Sequence, residues 1–425
     1  MNIDLHSTTR RDLLLASGTL FAWAYLPKRA LAEGRDPRLL VIVLRGALDG
    51  LAAVAPVGDP DWIRLRGEKG LTLRSATPGL PLDSLFALNP AMPNLHRMYK
   101  AGEATIVHAV ATPYRERSHF DGQDILESGL PQVGSVRSGW LNRALGVLEP
   151  AGRANPKARD AFAVGPIAPL IVRGPAAVLA WTPRRLPPAS DDTMMRLLDL
   201  YRHTDPSLAR VLEERMGLAA IVGAPGMDGG AAQTAQPATA PNGQPRPLAG
   251  AAQVRAYFAE SAGAAAKFLA GADGPRIGAL AFDGWDTHAD EGAIGGRLAA
   301  LLSALDGAIA AIETNTRAAW RETVVAVVTE FGRTARINGT EGTDHGTATV
   351  ALLAGGALKG GRVVADWPGL KEGNLYQNRD LKPTADLRAV LKGLLRDHLR
   401  LDDKALAATV FPDSASVKPM SGLLA

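Results

Sequence analysis

Residues 39–50 read L-L-V-I-V-L-R-G-A-L-D-G, six apolar residues followed by a turn that carries two glycines and one carboxylate. A continuous apolar run of this length, without the alternation of a half-exposed strand, suits a strand covered on both faces. Thr105 to Val110, Ile277 to Phe282 and Thr323 to Val328 have the same character; the last reaches Thr329, and a shorter run follows at Val350 to Leu353. Helical patterns lie between them, at Pro93 to Ala101, Asp121 to Ser128, Asp192 to Met216, Ala251 to Ala270, Gly292 to Asn315 and Thr384 to Arg400. Strands alternating with helices predict an α/β architecture, a largely parallel central sheet flanked by helices. Residues 223–250, rich in Ala, Gly, Pro, Gln and Thr without periodicity, read as a flexible surface insertion in a single domain spanning 33–425.

The first 32 residues read differently. Thr9-Arg10-Arg11-Asp12 precedes an apolar stretch from Leu13 to Leu26 and then Ala30-Leu31-Ala32, the pattern of a twin-arginine export signal with cleavage after Ala32. The expected partner is the twin-arginine export machinery and the expected location the periplasm. No later window of about 20 residues reads as apolar enough to span a bilayer. The net charge is +4, of which Arg10, Arg11, Lys28 and Arg29 against Asp4 and Asp12 account for +2, leaving +2 for the remainder. Lys and Arg are scattered without a basic, aromatic-interleaved block, which excludes a nucleic-acid footprint. With no cysteine, the chain has no disulfide, thiolate ligand or Cys nucleophile, so any metal must be held by His, Asp and Glu.

Open α/β sheets place their sites beyond the carboxyl ends of the strands, and the polar clusters fall there. Asp49 follows the first strand. Ser118, His119, Asp121 and Asp124 follow the second, in R-S-H-F-D-G-Q-D. Asp286 and His288 follow the third, in F-D-G-W-D-T-H; Glu330 and Arg333 end the fourth, in T-E-F-G-R-T; Asp344 and His345 stand in the next loop, T-D-H-G-T. Asp286 and His288 are two apart, so extended backbone points both the same way. Each cluster also has a purely structural reading: Asp49 as a turn residue, Ser118 and Asp121 as a cap and a first-turn acid, Glu330 and Arg333 as an ion pair. Trp285, beside the expected ligands, reads either as the wall of a substrate pocket or, by default, as a packing residue.

The expected metal ligands are Asp49, Asp121, Asp286, His288, Glu330, Asp344 and His345, for one or two divalent ions, zinc, manganese or magnesium. A pair of ions about 4 Å apart stabilises the attacking and leaving oxygens of a displacement at phosphorus or sulfur. Ser118, at a helix N-terminus that favours an anionic group, is the expected nucleophile, and Arg333 the expected clamp on nonbridging oxygens. His119 reads as either a third ligand or the general acid.

As a set, the motifs L-R-G-A-L-D-G, R-S-H-F-D-G-Q-D, G-W-D-T-H, V-V-T-E-F-G-R-T and T-D-H-G-T-A resemble those of the secreted bacterial family called domain of unknown function 1501. That family is similar in turn to the alkaline phosphatase superfamily. The resemblance implies an alkaline-phosphatase-like core and a metal-dependent hydrolase of small phosphate or sulfate esters; the other class of reading is a non-catalytic periplasmic binding or assembly protein on the same fold. It also implies that Asp49 reaches a metal, that Ser118 is the nucleophile, and that Asp286 with His288 and Asp344 with His345 each serve an ion. The spacing departs from the superfamily in that only Thr287 separates the first pair. The histidine downstream of the second, His398, lies in a helical pattern, so His119 or Glu330 is expected to complete the set.

Overall fold

The structure, a computed structural model, describes residues 36–134, 137–148, 161–165, 167–182, 198, 201–202, 205–213, 250–271 and 274–425. The expected signal at 1–32 and the insertion at 223–250, Gly250 apart, lie outside the described residues, as does about half of the helix expected over 192–216, of which 198, 201–202 and 206–213 are helical.

Nine strands form one sheet: β1 (Arg38–Arg45), β2 (Ala104–Ala111), β3 (Ala161–Val164), β4 (Leu179–Trp181), β5 (Ile277–Asp283), β6 (Thr323–Thr329), β7 (Thr349–Ala354), β8 (Arg362–Val364) and β9 (Ala385–Asp386). Their order is β8-β2-β7-β6-β1-β5-β3-β4, with β9 also on β2. All pairings are parallel except those of β7, which runs antiparallel to both β6 and β2. The largely parallel sheet read from the apolar runs is therefore present, with β7 reversed.

Helices are α1 (Gly50–Ala53), α2 (Trp62–Arg66), α3 (Pro93–Lys100), α4 (His119–Ser128), α5 (Trp140–Leu148), α6 (Ala251–Ala270), α7 (Arg297–Thr316) and α8 (Leu387–Leu399). Along β1 the side chains alternate between two cores. Leu40, Ile42 and Leu44 pack with Leu95 of α3, Phe258 of α6 and Leu302 of α7, whereas Leu39, Val41 and Val43 pack with Leu141 of α5 and Leu391 of α8. Each such fully buried side chain stabilises the fold by about 1.5–3 kcal/mol, which explains why no polar residue interrupts the run. Trp285 joins the first of these cores, the packing role expected of it.

The helical segment from Arg297 to Glu322 is long and apolar enough by length and composition to cross a membrane, which corrects the expectation that no such stretch follows the signal. Here it is a core helix. Leu298, Leu302, Leu305, Ile309 and Ile312, spaced three and four apart, are all buried. Its buried Asp306 accepts the Asn94 and Leu95 backbone N–H groups, capping α3, whose own N-cap residue Met92 makes no side-chain capping bond.

Parallel topology brings the carboxyl ends of β1, β2, β5 and β6 to one edge of the sheet. Because β7 runs the other way, its beginning lies at that same edge, so the β6–β7 connection with Asp344 and His345 stays beside the β5 loop. The loops approach closely. A Cβ on Gly46, φ +119°, would stand 2.4 Å from the Asp286 backbone nitrogen, and one on Gly342 would stand 2.3 Å from the His288 carbonyl.

Candidate metal centre

His119, Asp286 and His345 converge: one donor atom from each lies within 4.8 Å of the other two. His288 completes the group, with Nε2 2.8 Å from Nε2 of His345 and 3.1 Å from Oδ1 of Asp286. Asp286 Oδ1 also stands 3.5 Å from His345 Nε2, and its Oδ2 stands 3.5 Å from His119 Nε2.

The opposite side of each ring shows which nitrogen is free. His119 Nδ1 is 2.8 Å from Glu330 Oε1, His288 Nδ1 is 3.3 Å from Asp344 Oδ1, and His345 Nδ1 is 3.0 Å from the Arg117 carbonyl oxygen. Carbonyl and carboxylate oxygens only accept, so each Nδ1 carries a hydrogen and each ring turns its Nε2 inward, where an ion that displaces any proton there meets a lone pair. The Nε2 atoms of His288 and His345, 2.8 Å apart, need a shared proton or a metal ion between them. His119 Nε2 is shielded from solvent and has no hydrogen-bond partner among the described residues. Imidazoles held at Nδ1 by oxygen acceptors, with Nε2 donors and a carboxylate gathered on one spot, fit a metal ion.

The carboxylates around the rings are held ionised. Burial raises the pKa of Asp286, but His119, His345 and Arg333 outweigh it and hold the group well below the usual carboxylate range. Glu330 is fully buried, which opposes its charge, yet its bonds from His119, the Gly46 N–H and Thr329 Oγ1 lower its pKa. The Asn338 amide and His288 lower that of Asp344. Burial disfavours charging His119, but the Asp286 and Glu330 carboxylates prevail and push its pKa up to about 9.

The other expected site residues fall elsewhere. Asp49 is not brought to the cluster: both of its oxygens receive the Arg66 guanidinium, at 2.5 and 3.1 Å, and Oδ1 also caps α1 through the Leu51 and Ala52 N–H groups. Asp121 accepts from the Tyr114 hydroxyl at 3.3 Å, on α4, and is absent from the converging set. Glu330 and Asp344 stand behind His119 and His288 as orienting carboxylates. Arg333 is buried, with Nη1 on Asp286 Oδ1 at 2.8 Å and Nε and Nη2 on Thr343, so its fork holds Asp286 and is not open to clamp a ligand. Ser118 occupies the N-cap position of α4, where its side chain makes no capping bond. His398 is a core residue, Nε2 donating to the Arg38 carbonyl at 3.0 Å.

Sequence reasoning missed four supports: Arg66, Asn338, the Arg117 carbonyl and Glu291. Glu291 Oε1 accepts from Thr287 Oγ1 at 2.9 Å and Thr343 Oγ1 at 3.3 Å; Thr287 lies between Asp286 and His288, and Thr343 stands two residues before His345. Its place three residues after His288 in D-T-H-A-D-E was the only signal, and nothing local shows that the side chain turns inward.

The fold and the site together define an α/β protein with a histidine-rich candidate metal centre at the carboxyl edge of its sheet. Residues 36–410 match the model of the family described as Protein of unknown function (DUF1501), and the chain belongs to that family. None of the curated proteins compared matches it. Among solved structures it is similar to Ps i-CgsB, at 12% identity over 91% of this chain and 78% of that one, TM-score 0.39. It is similar also to the phosphonate monoester hydrolase of Agrobacterium radiobacter, at 13% over 87% and 75%, TM-score 0.32. A third is the C-terminal periplasmic domain of EcEptC from Escherichia coli in complex with Zn, at 11% over 76% and 74%, TM-score 0.31. Similarity at this level says nothing about the chemistry at the candidate centre.

Proposed function

We propose that this protein is an exported, metal-dependent hydrolase of small phosphate or sulfate esters. One observation carries the reading: three imidazole Nε2 atoms and the Asp286 carboxylate gather on one spot at the ends of the strands, each ring held from behind by an oxygen acceptor. When bound there, a divalent cation supplies Lewis acidity to an ester oxygen and to an attacking hydroxyl. Glu330, Asp344 and the Arg117 carbonyl fix the rings, and Arg333 fixes Asp286. Ser118, next to His119 in the chain, offers a hydroxyl at the N-terminus of α4, whose free N–H groups favour an anionic oxygen. Arg379, 39% exposed, places Nη2 on the His345 carbonyl and Nη1 3.4 Å from the buried Asp380 carboxylate, which also receives Arg117.

The test is hydrolysis of an aryl phosphate and an aryl sulfate by zinc-loaded protein. Turnover is expected with at least one of them, abolished by chelator and in His345→Ala, and strongly reduced in Ser118→Ala at unchanged metal content. Metal-loaded protein that turns over neither ester would leave a binding role for the centre.

A further inference from the structure

We infer that the centre binds a single transition-metal ion, on His119, His288, His345 and Asp286, and that it selects such an ion over magnesium. The inference rests on the metal-dependent reading above and sharpens it, since a single ion excludes the two-ion displacement that the sequence suggested. Neighbouring ligand atoms around an ion with bonds of about 2.0–2.2 Å stand roughly 3.0–3.5 Å apart. The donor separations here are 2.8, 3.1, 3.5 and 3.5 Å. Three of the four donors are imidazole nitrogens, which suit zinc, cobalt, nickel or iron, whereas magnesium takes oxygen ligands and keeps several waters.

Among the described residues a second ion lacks donors. The Asp49 carboxylate is neutralised by the Arg66 fork, Glu330 accepts four hydrogen bonds, and Asp121 is turned to Tyr114. Of the carboxylates expected as ligands, Asp344 alone remains beside the cluster, with Oδ1 already on Asn338 and His288. One carboxylate does not hold a second cation against water.

The experiment titrates the full chain, stripped by chelator, with zinc chloride, cobalt chloride and magnesium chloride, following heat and, for cobalt, visible absorption. Zinc is expected to bind at one equivalent per chain, cobalt absorption to saturate at one equivalent, and millimolar magnesium to leave both unchanged. His119→Ala and His345→Ala should each weaken zinc binding at least about 100-fold, with the metal-free melting temperature close to that of the parent protein. Two equivalents of zinc or cobalt, displacement by magnesium, or full affinity in His119→Ala would overturn the inference and leave the metal-dependent reading standing. Parent protein that binds none of the three ions would overturn that reading itself.

Discussion

His108 shows how far burial alone shifts a side chain in this molecule. Its ring is fully buried, stacked on Phe86 at 4.9 Å, with Nε2 donating to the Val54 carbonyl at 3.0 Å and Nδ1 accepting from the Ala109 N–H at 2.8 Å. Burial lowers its pKa to about 4, against the smaller opposing pull of the Val54 carbonyl and Asp49. The unfolded chain therefore binds the proton first as pH falls. The stability this neutral ring contributes is complete above about pH 6.5 and is lost as pH falls towards 4. By pH 4.5 the loss from this group should reach about 2–3 kcal/mol. Urea unfolding at pH 7 and pH 4.5, in the parent protein and in His108→Gln, isolates it, because the carboxylates titrate alike in both. An equal loss in the two proteins would place the acid sensitivity elsewhere.

Among the elements, the two loops that carry the candidate ligands are joined below the candidate metal centre by a run of contacts. Arg333 links Asp286 to Thr343, and Glu291 links Thr343 to Thr287, so side-chain hydrogen bonds tie the β5 loop to the β6–β7 connection. Burial and the nearby Asp49 carboxylate push the Glu291 carboxyl up to about 8, so at pH 7 it is mostly neutral. A carboxyl raised in this way contributes stability below about pH 4.5 that is lost as pH rises through 8. Glu291→Gln, which keeps the shape without the charge, should match the parent protein near pH 4 and be more stable than it at pH 7 and at pH 9. Glu291→Ala leaves both threonine hydroxyls without their partner and should be about 1–3 kcal/mol less stable than Glu291→Gln at pH 7. Denaturant curves of the two variants decide the matter; a Gln variant as damaged as the Ala variant would mean that the buried group is charged.

For the whole molecule, folding precedes any metal chemistry, because the ligands come from residues 119, 286, 288 and 345 and meet only once the sheet is assembled. This suits the twin-arginine route, which exports folded chains, and a centre loaded before export. Arg10→Lys together with Arg11→Lys should leave a folded, metal-competent precursor in the cytoplasm. Cell fractionation reads the outcome, and processed protein still reaching the periplasm would remove the export proposal.

The sequence by itself determined the central layer. Strands buried on both faces tolerate no polar residue, so the runs of β1, β2, β5 and β6 were legible, as were the long helices with apolar residues at three- and four-residue spacing. It also showed Asp286, His288 and His345 as candidate donors, because these residue types sit directly after or before apolar strands. Tertiary structure alone decided which candidates meet. The reversed direction of β7 depends on strand pairing, which no local pattern encodes, and it is this reversal that keeps His345 beside His288. Asp49 follows its strand as an expected ligand would, but the chain brings back Arg66, 17 residues later, to neutralise it. A carboxylate's role is set by the cation that reaches it, and that depends on the path of the backbone through space.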